Sequence, residues 1–456
     1  MVTVLGANTL STGSYEVDNS LRFHSDTYLT NTFGSAPTLA TKNTMSLWFK
    51  RSILGTLQQL MTGNNNAFSI VLNTNNTIAF YNSSGQLLGP RLYRDTSGWM
   101  HFVFAYDSTQ GTAANRFKVY INGVEETSFS NTAYPDQDVA SQLGVNGTDM
   151  KIGTRSNNDR FFEGYMAETA FVDGQALAAD SFGEFDSDSG IWKPIDVSSL
   201  TFGNNGFYLE NKQSGTSQNS SGMGADTSGN DFHFAVTNFT AVDPSTDTCT
   251  NNFATMNPLI PGQTNYTYSD GNLTITQGSA AWVKSNSTFG MSSGKWYWEG
   301  KWVSGNYTVF AVDNTDTAAP YSATSNSAVG YKRNGNVEIG TDPQTDIAAY
   351  AHGDTVSVAL DMDNDAVYFY KNGAIQNSGD PTSGASKTGA YALPVANSTY
   401  FANISPYGSG ATSMNFGSPP YAISSSNADE DGFGNFEYAV PAGYFALCSK
   451  NLAEYG

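Results

Sequence analysis

The sequence predicts an all-β chain folded as two tandem jelly-roll β-sandwiches. Three observations predict it: an aromatic, amide-rich composition, one hairpin signature used twice, and a length too great for a single core. Charged residues are only 14% of the chain, so its polarity comes from Asn, Ser, Thr and Gly, beside 28 Phe, 25 Tyr and 7 Trp. Aromatic and β-branched residues suit a pleated surface, while Gly and Asn supply turns. A chain of 456 residues exceeds what one hydrophobic core fills, which puts the expectation at two domains of roughly 200 residues each.

The hairpin signature is the sharpest of the three. His101-Phe-Val-Phe-Ala-Tyr-Asp107 leads through a polar turn into Arg116-Phe-Lys-Val-Tyr-Ile-Asn122-Gly123. Val356-Ser-Val-Ala-Leu-Asp361 leads likewise into Ala366-Val-Tyr-Phe-Tyr-Lys-Asn372-Gly373. Alternating side chains fit a half-buried strand, and Asn-Gly supplies the two positive φ angles of a tight hairpin. Between the two copies, residues 175–185 carry Ala176, Leu177, Ala178 and Ala179, the best helix candidate in the chain, of about two turns. Residues 211–255 are poor in apolar side chains and rich in Ser, Gly and Asn, so they read as a linker or extended loop. The expected domains are therefore residues 1–210 and 256–456. In Trp296-Tyr-Trp-Glu-Gly-Lys-Trp302 the period of two puts the three Trp on one face, read as core, and Tyr297 on the other. Cys249 and Cys448 read as two buried thiols, with a bridge closing the second domain as the alternative.

Two resemblances rest on these pieces. Thr44-Met-Ser-Leu-Trp-Phe-Lys-Arg51, Gly98-Trp-Met-His-Phe-Val-Phe104, Val119-Tyr-Ile-Asn-Gly-Val124 and Phe162-Glu-Gly-Tyr-Met-Ala-Glu168 occur in an order that resembles laminin-G-like sandwiches, a concanavalin A-like lectin/glucanase family. That likeness spans residues 21–209. Gly294-Lys-Trp-Tyr-Trp-Glu-Gly300, Val329-Gly-Tyr331, Gly353-Asp-Thr-Val-Ser-Val-Ala-Leu-Asp361 and Phe369-Tyr-Lys-Asn-Gly373 resemble a SPRY domain across residues 257–447. The pairing is similar to virion proteins of tailed phages, as are phrases such as Pro441-Ala-Gly-Tyr-Phe-Ala-Leu-Cys-Ser-Lys-Asn451. The resemblance implies two concanavalin A-like sandwiches on a phage fibre, appendage or capsid. It further implies a homo-oligomer that contacts other virion proteins and recognises a cell-surface glycan or host receptor, without catalysis. Purely structural decoration and glycan degradation are the alternatives.

Charge narrows the partners. A net charge of −20 with 21 Lys plus Arg against 41 Asp plus Glu cannot neutralise a phosphate backbone, which excludes nucleic acid. No apolar run approaches the about 20 residues that span a bilayer, so membrane insertion is not expected. The N-terminus lacks a basic region and a long apolar run, so synthesis in a host cytoplasm with release in a virion is the expected localisation. Retaining glycosidases need two carboxyl groups about 5–5.5 Å apart. The nearest approach to such a motif is Glu163-Gly-Tyr-Met-Ala-Glu168, whose offset puts the two on opposite faces of a strand. No cofactor is expected. Asp361-Met-Asp-Asn-Asp365 and Asp186-Ser-Asp-Ser-Gly190 have the look of calcium loops but read better as turns. The remaining candidates are ligand-binding loop residues, because sugars stack on rings and are read by amides and carboxylates. They are Asn157, Asp159 and Arg160 in the first domain, with Asn306, Tyr307, Tyr321, Tyr350 and Tyr407 in the second.

Overall fold

The computed structural model describes residues 15–260, 265–282, 284–315, 327–340, 342–344 and 346–456. They form two compact units, the first ending at Asn251 and the second comprising Asn252–Gly456. Each is a sandwich of two largely antiparallel sheets, as the alternating strands require.

In the first unit, one sheet runs in the order Val124–Glu125, Phe117–Ile121, Met100–Asp107, Lys42–Arg51, Gly164–Asp173, Ser20–Phe23 and Pro244–Ser245. The facing sheet runs Asn131–Ala133, Gly85–Leu88, Ile78–Asn82, Phe68–Leu72, Gln58–Gly63, Asp149–Ile152, Tyr28–Thr32 and Ala235–Thr237. Phe49, Phe102 and Phe104 from the first meet Ile70, Phe80 and Met150 from the second in the core between them. The first sheet is also covered on its outer side. Trp48, Tyr165 and Val172 pack there with Phe182, Trp192, Phe202 and Cys249. That third layer explains why all ten residues of Gly164–Asp173 are buried, whereas alternation alone predicts a half-buried strand.

The stretch read as a linker is also built into this unit, adding Cys249 to the outer layer. Ala235–Thr237 pairs with Tyr28–Thr32, and Pro244–Ser245 pairs with Ser20–Phe23. Met223, Phe234 and Phe239 enter the core. Asp247 accepts from the buried Lys50 ammonium at 2.8 Å and from the Trp99 indole at 3.0 Å. The expectation for residues 211–255 is therefore corrected: up to Asn251 they are a polar-looking strap bound into the first unit. Its few large apolar residues are outnumbered by polar ones and escape a compositional reading, yet Met223, Phe232, Phe234, Val236 and Phe239 all pack into or against the core. The helix expected over residues 175–185 is likewise reduced to the single turn Ala179–Ser181, followed by the strand Gly183–Phe185. Thr44 Oγ1 donates to the Gln175 carbonyl and accepts from the Leu177 N–H, which holds that segment extended.

In the second unit, a sheet runs Tyr266–Ser269, Thr274–Gln277, Ala411–Asn415, Lys295–Ser304, Thr355–Asp361, Ala366–Lys371 and Ala374–Ile375. Opposite it lie Ser285–Met291, Tyr400–Ile404, Val309–Asp313, Ala328–Lys332, Val337–Ile339 and Asp342–Pro343. Trp296, Trp298 and Trp302 all enter the inter-sheet core, and Tyr297 packs on the other side with Phe436, Tyr444 and Cys448. The period of two is observed as read. Glu299, fully buried on that outer side, accepts from the backbone N–H groups of Glu437 and Tyr438 and so ties the C-terminal segment to the sheet.

Both Asn-Gly turns are formed, with φ of 47° and 81° at Asn122 and Gly123 and of 47° and 76° at Asn372 and Gly373. Each Asn does a second thing. The Asn122 side chain accepts from the His101 N–H, and that of Asn372 from the Thr355 N–H, both at 2.8 Å. The turn thereby caps the end of the neighbouring strand. Cys249 and Cys448 are buried thiols, one in each unit, so no bridge closes the second domain.

Candidate functional site

The second unit gathers its candidate residues where two glycine-rich loops meet. Gly305 has φ of 101°, and a Cβ on it would lie 2.1 Å from the Cα of Gly410. A Cβ on Gly408, at φ 73°, would lie 2.6 Å from Asn306 Nδ2. Only glycine permits that approach and those angles. With the loops in contact, Tyr307 and Tyr407 form an antiparallel bridge, and their rings stand beside one another.

Trp282 completes the group. Its indole stacks on Tyr407, with centroids 4.7 Å apart and planes 26° from parallel, and meets Tyr307 edge-on at 5.2 Å. The Arg333 guanidinium lies 5.0 Å from the Tyr307 ring centroid, in cation–π range. The Tyr307 hydroxyl donates to Asn334 Oδ1 at 3.0 Å. Partial burial holds that hydroxyl above the ordinary phenol range, with Arg333 pulling it back, so it is a protonated donor at neutral pH. His352 Nε2 donates to the Gly305 carbonyl at 2.7 Å and supports the loop from below Trp302. The three rings are half-buried, while Asn306, Arg333 and Asn334 are exposed. Part-exposed rings rimmed by amides and one cation can accept an amphipathic, hydroxyl-bearing ligand.

Of the residues expected from sequence, Asn306, Tyr307 and Tyr407 are brought together here. Tyr350 is not: it is only 4% exposed, and its hydroxyl donates into the carbonyls of Thr308 and Tyr331. It is a core residue, corrected because a tyrosine read as a loop residue lies against Trp302 and Phe310. Tyr321 lies outside the described residues. Asn157 and Arg160 are exposed in the first unit, but Asp159 is engaged in a two-pronged pair with Arg155. The Arg160 carbonyl accepts from the Gln59 N–H. That loop is braced internally, and beside it Phe161 stacks on Tyr28 with centroids 6.4 Å apart. Trp282 and Arg333 were not anticipated. The signal for Trp282 was present, since Gly278-Ser-Ala-Ala-Trp282 is a small-residue loop in which a tryptophan has no strand to fill.

The acidic loops are turns. Asp361 accepts from the Asn364 N–H and side chain, and Asp186 from Asp188 and Ser189. Among the described residues, no three His, Cys, Asp or Glu converge to hold a metal. Glu168 sits at a bulge with φ of 49° and accepts from the hydroxyls of Tyr15 and Tyr208. Burial lifts its carboxyl to about 7, against the pull of those two hydroxyls. No described helix is long and apolar enough to cross a membrane.

Comparison with known proteins agrees with the architecture. Residues 23–181 match the laminin-G type family model of the concanavalin A-like lectin/glucanases superfamily. No curated protein matches the chain. Among solved structures, the SPRY domain of human HERC1 is similar at 19% identity and a TM-score of 0.27, over 33% of this chain and 92% of that one. The SAP-like pentraxin of Limulus polyphemus is similar at 15% identity and a TM-score of 0.27, over 36% and 80% of the two chains. A Bacteroides ovatus protein described as carbohydrate binding is similar at 13% identity and a TM-score of 0.35, over 49% and 58%.

Proposed function

We propose that this chain is a lectin-like recognition protein, carried by a tailed-phage virion as a fibre, appendage or capsid decoration, that binds a host-surface glycan. The observation that carries the binding half of this reading is the Trp282–Tyr307–Tyr407 cluster with its amide rim. Half-exposed rings held by glycine-enforced loops are a preorganised stacking surface, so little ordering cost remains to be met on binding. The match of residues 23–181 to a superfamily named for lectins and glucanases is in keeping with it. The virion setting, the homo-oligomer and contacts to other virion proteins rest on the sequence resemblance.

The test is a glycan array and a host-cell binding assay with the full chain. The Trp282→Ala and Tyr407→Ala proteins are expected to bind at least about tenfold more weakly, the effect of losing about 1.4 kcal/mol of ring contact. Binding that survives both substitutions unchanged would remove the cluster from the proposal. Association only with other virion proteins would favour structural decoration. Release of reducing sugar from a bound polysaccharide would replace recognition by turnover.

A further inference from the structure

The first unit contains a second polar feature, made partly by the strap. A cleft of about 380 Å³ opens where the strand Tyr28–Thr32 ends beside residues 230–233, and its walls include Asn31, Asn204, Asn205, Gln218, Asn230 and Asp231. A cluster of amides at a surface is by itself only polar. Here the hydrogen bonds decide what the amides can offer.

All five amides are braced by donating to backbone carbonyls, and Asn205 and Asn230 spend both N–H bonds there. Asn31 Nδ2 and Gln218 Nε2 both donate to the His233 carbonyl at 2.9 Å. Asn204 Nδ2 donates to the Ala36 carbonyl at 3.2 Å. Asn230 Nδ2 donates to the carbonyls of Gly203 and Gly206 at 2.7 and 2.9 Å. Asn205 Nδ2 does the same with Ser35 and Gly144. A carbonyl oxygen can only accept, so the nitrogen of each amide must face it and the orientation of the side chain is fixed. What remains for a ligand is the side-chain carbonyl oxygen of Asn230, and on Asn204 and Gln218 that oxygen together with the second N–H. Asp231 adds a carboxylate whose side chain is 93% exposed. His233 Nδ1 accepts from the Asp226 N–H at 3.0 Å, which leaves the neutral ring's proton on Nε2, 3.7 Å from Asp231 Oδ1. Phe232 lines the same cleft half-buried, stacked with Phe33 at 5.0 Å and Phe207 at 5.8 Å.

We infer that this cleft is a binding site for a neutral, hydroxyl-rich saccharide, separate from the aromatic cluster of the second unit. Sugar hydroxyl groups can donate to these oxygens and accept from the spare N–H of Asn204 and Gln218, while half-buried Phe232 leaves its unburied edge as apolar contact. An acidic or sulfated sugar meets the Asp231 carboxylate with no Lys or Arg among the cleft's lining residues to offset it, and is rejected. The inference shares its ligand class with the proposed function but none of its residues, and the two fail separately.

The experiment compares four full-chain proteins on an array printed with neutral and sulfated oligosaccharides. They are the natural chain, Trp282→Ala/Tyr407→Ala, Gln218→Ala/Asp231→Ala, and all four substitutions together. Gln218 and Asp231 are exposed, so their loss leaves the core intact, and circular dichroism checks this. The cluster variant is expected to keep binding to a subset of neutral glycans, and the quadruple variant to bind that subset at least tenfold more weakly. No residual binding in the cluster variant, or residual binding that Gln218→Ala/Asp231→Ala leaves unchanged, overturns the cleft while the cluster stands. Preference of the residual site for sulfated glycans overturns it too. Unchanged binding in the cluster variant together with its loss in the cleft variant upholds the cleft and overturns the cluster.

Discussion

At the scale of single residues, two buried titratable groups in the first unit pull its stability in opposite directions with pH. His101 lies between stacking contacts to Trp48 and Trp192, bonded to Ser46 Oγ and to the Trp192 indole N–H. Burial pushes its imidazole down to about 3, so it contributes stability above pH 6.5 that is lost as pH falls towards 3. Glu168 behaves the other way. Its carboxyl is raised from 4.5 to about 7, so the folded state holds the proton more tightly than the unfolded one. Stability from this group falls as pH rises from 4.5 to 7, by up to about 3 kcal/mol. Glu168→Gln keeps an acceptor for Tyr208 and cannot ionise. Melting temperatures taken from pH 5 to 8 should therefore diverge, with the variant gaining on the natural protein as pH rises. Parallel curves would show that the carboxylate is solvated in the native state. Because His101 is common to both proteins, it cancels from the comparison.

At the scale of elements, the hairpins carry a prediction that separates turn strain from packing. Alanine at Gly123 or Gly373 must adopt a positive φ, which costs about 1–3 kcal/mol at either site. The neighbours differ. A Cβ at Gly123 would lie 2.2 Å from the Trp192 ring, which is buried and pinned by its bond to His101. A Cβ at Gly373 would lie 2.5 Å from Tyr438, a half-buried ring with room to swing. Chemical denaturation should show both variants destabilised and Gly123→Ala the worse, by about 1–3 kcal/mol of overpacking. Equal losses would mean that the backbone angle is the whole effect. These hairpins were legible from sequence because the turn chemistry is local: Asn-Gly dictates its own φ angles whatever surrounds it. The Trp face of Lys295–Ser304 was legible for the same reason, as period two is a property of the strand. The third layer over each sandwich was not, since Asp247 meeting Lys50 and Glu299 meeting the Tyr438 N–H are pairings between segments far apart in the chain. The candidate site divides in the same way. The tyrosines beside Gly305 and Gly408 could be read from loop composition, whereas Tyr350 could not be told from them without knowing that Trp302 lies against it. The cleft was hidden because one of its walls, residues 218 and 230–233, was read as linker.

At the scale of the whole molecule, the strap changes what a break in the chain does. Lys212 is the one Lys or Arg in residues 211–255, and it is exposed. Trypsin cleavage after it should yield two bands on a denaturing gel but one species in native size exclusion. Residues 213–251 would still be held to the first unit by Ala235–Thr237, Pro244–Ser245 and the Lys50–Asp247 pair. Two separated species would restore the linker reading. The buried thiols extend this from cutting to timing. Cys249 belongs to the outer layer of the first unit and Cys448 to that of the second, so neither meets an alkylating reagent until its own sandwich opens. A pulse of iodoacetamide followed by peptide mass analysis then reads two independent clocks in one molecule, one per half. The chain can report which half lets go first under heat, acid or force, with no label introduced.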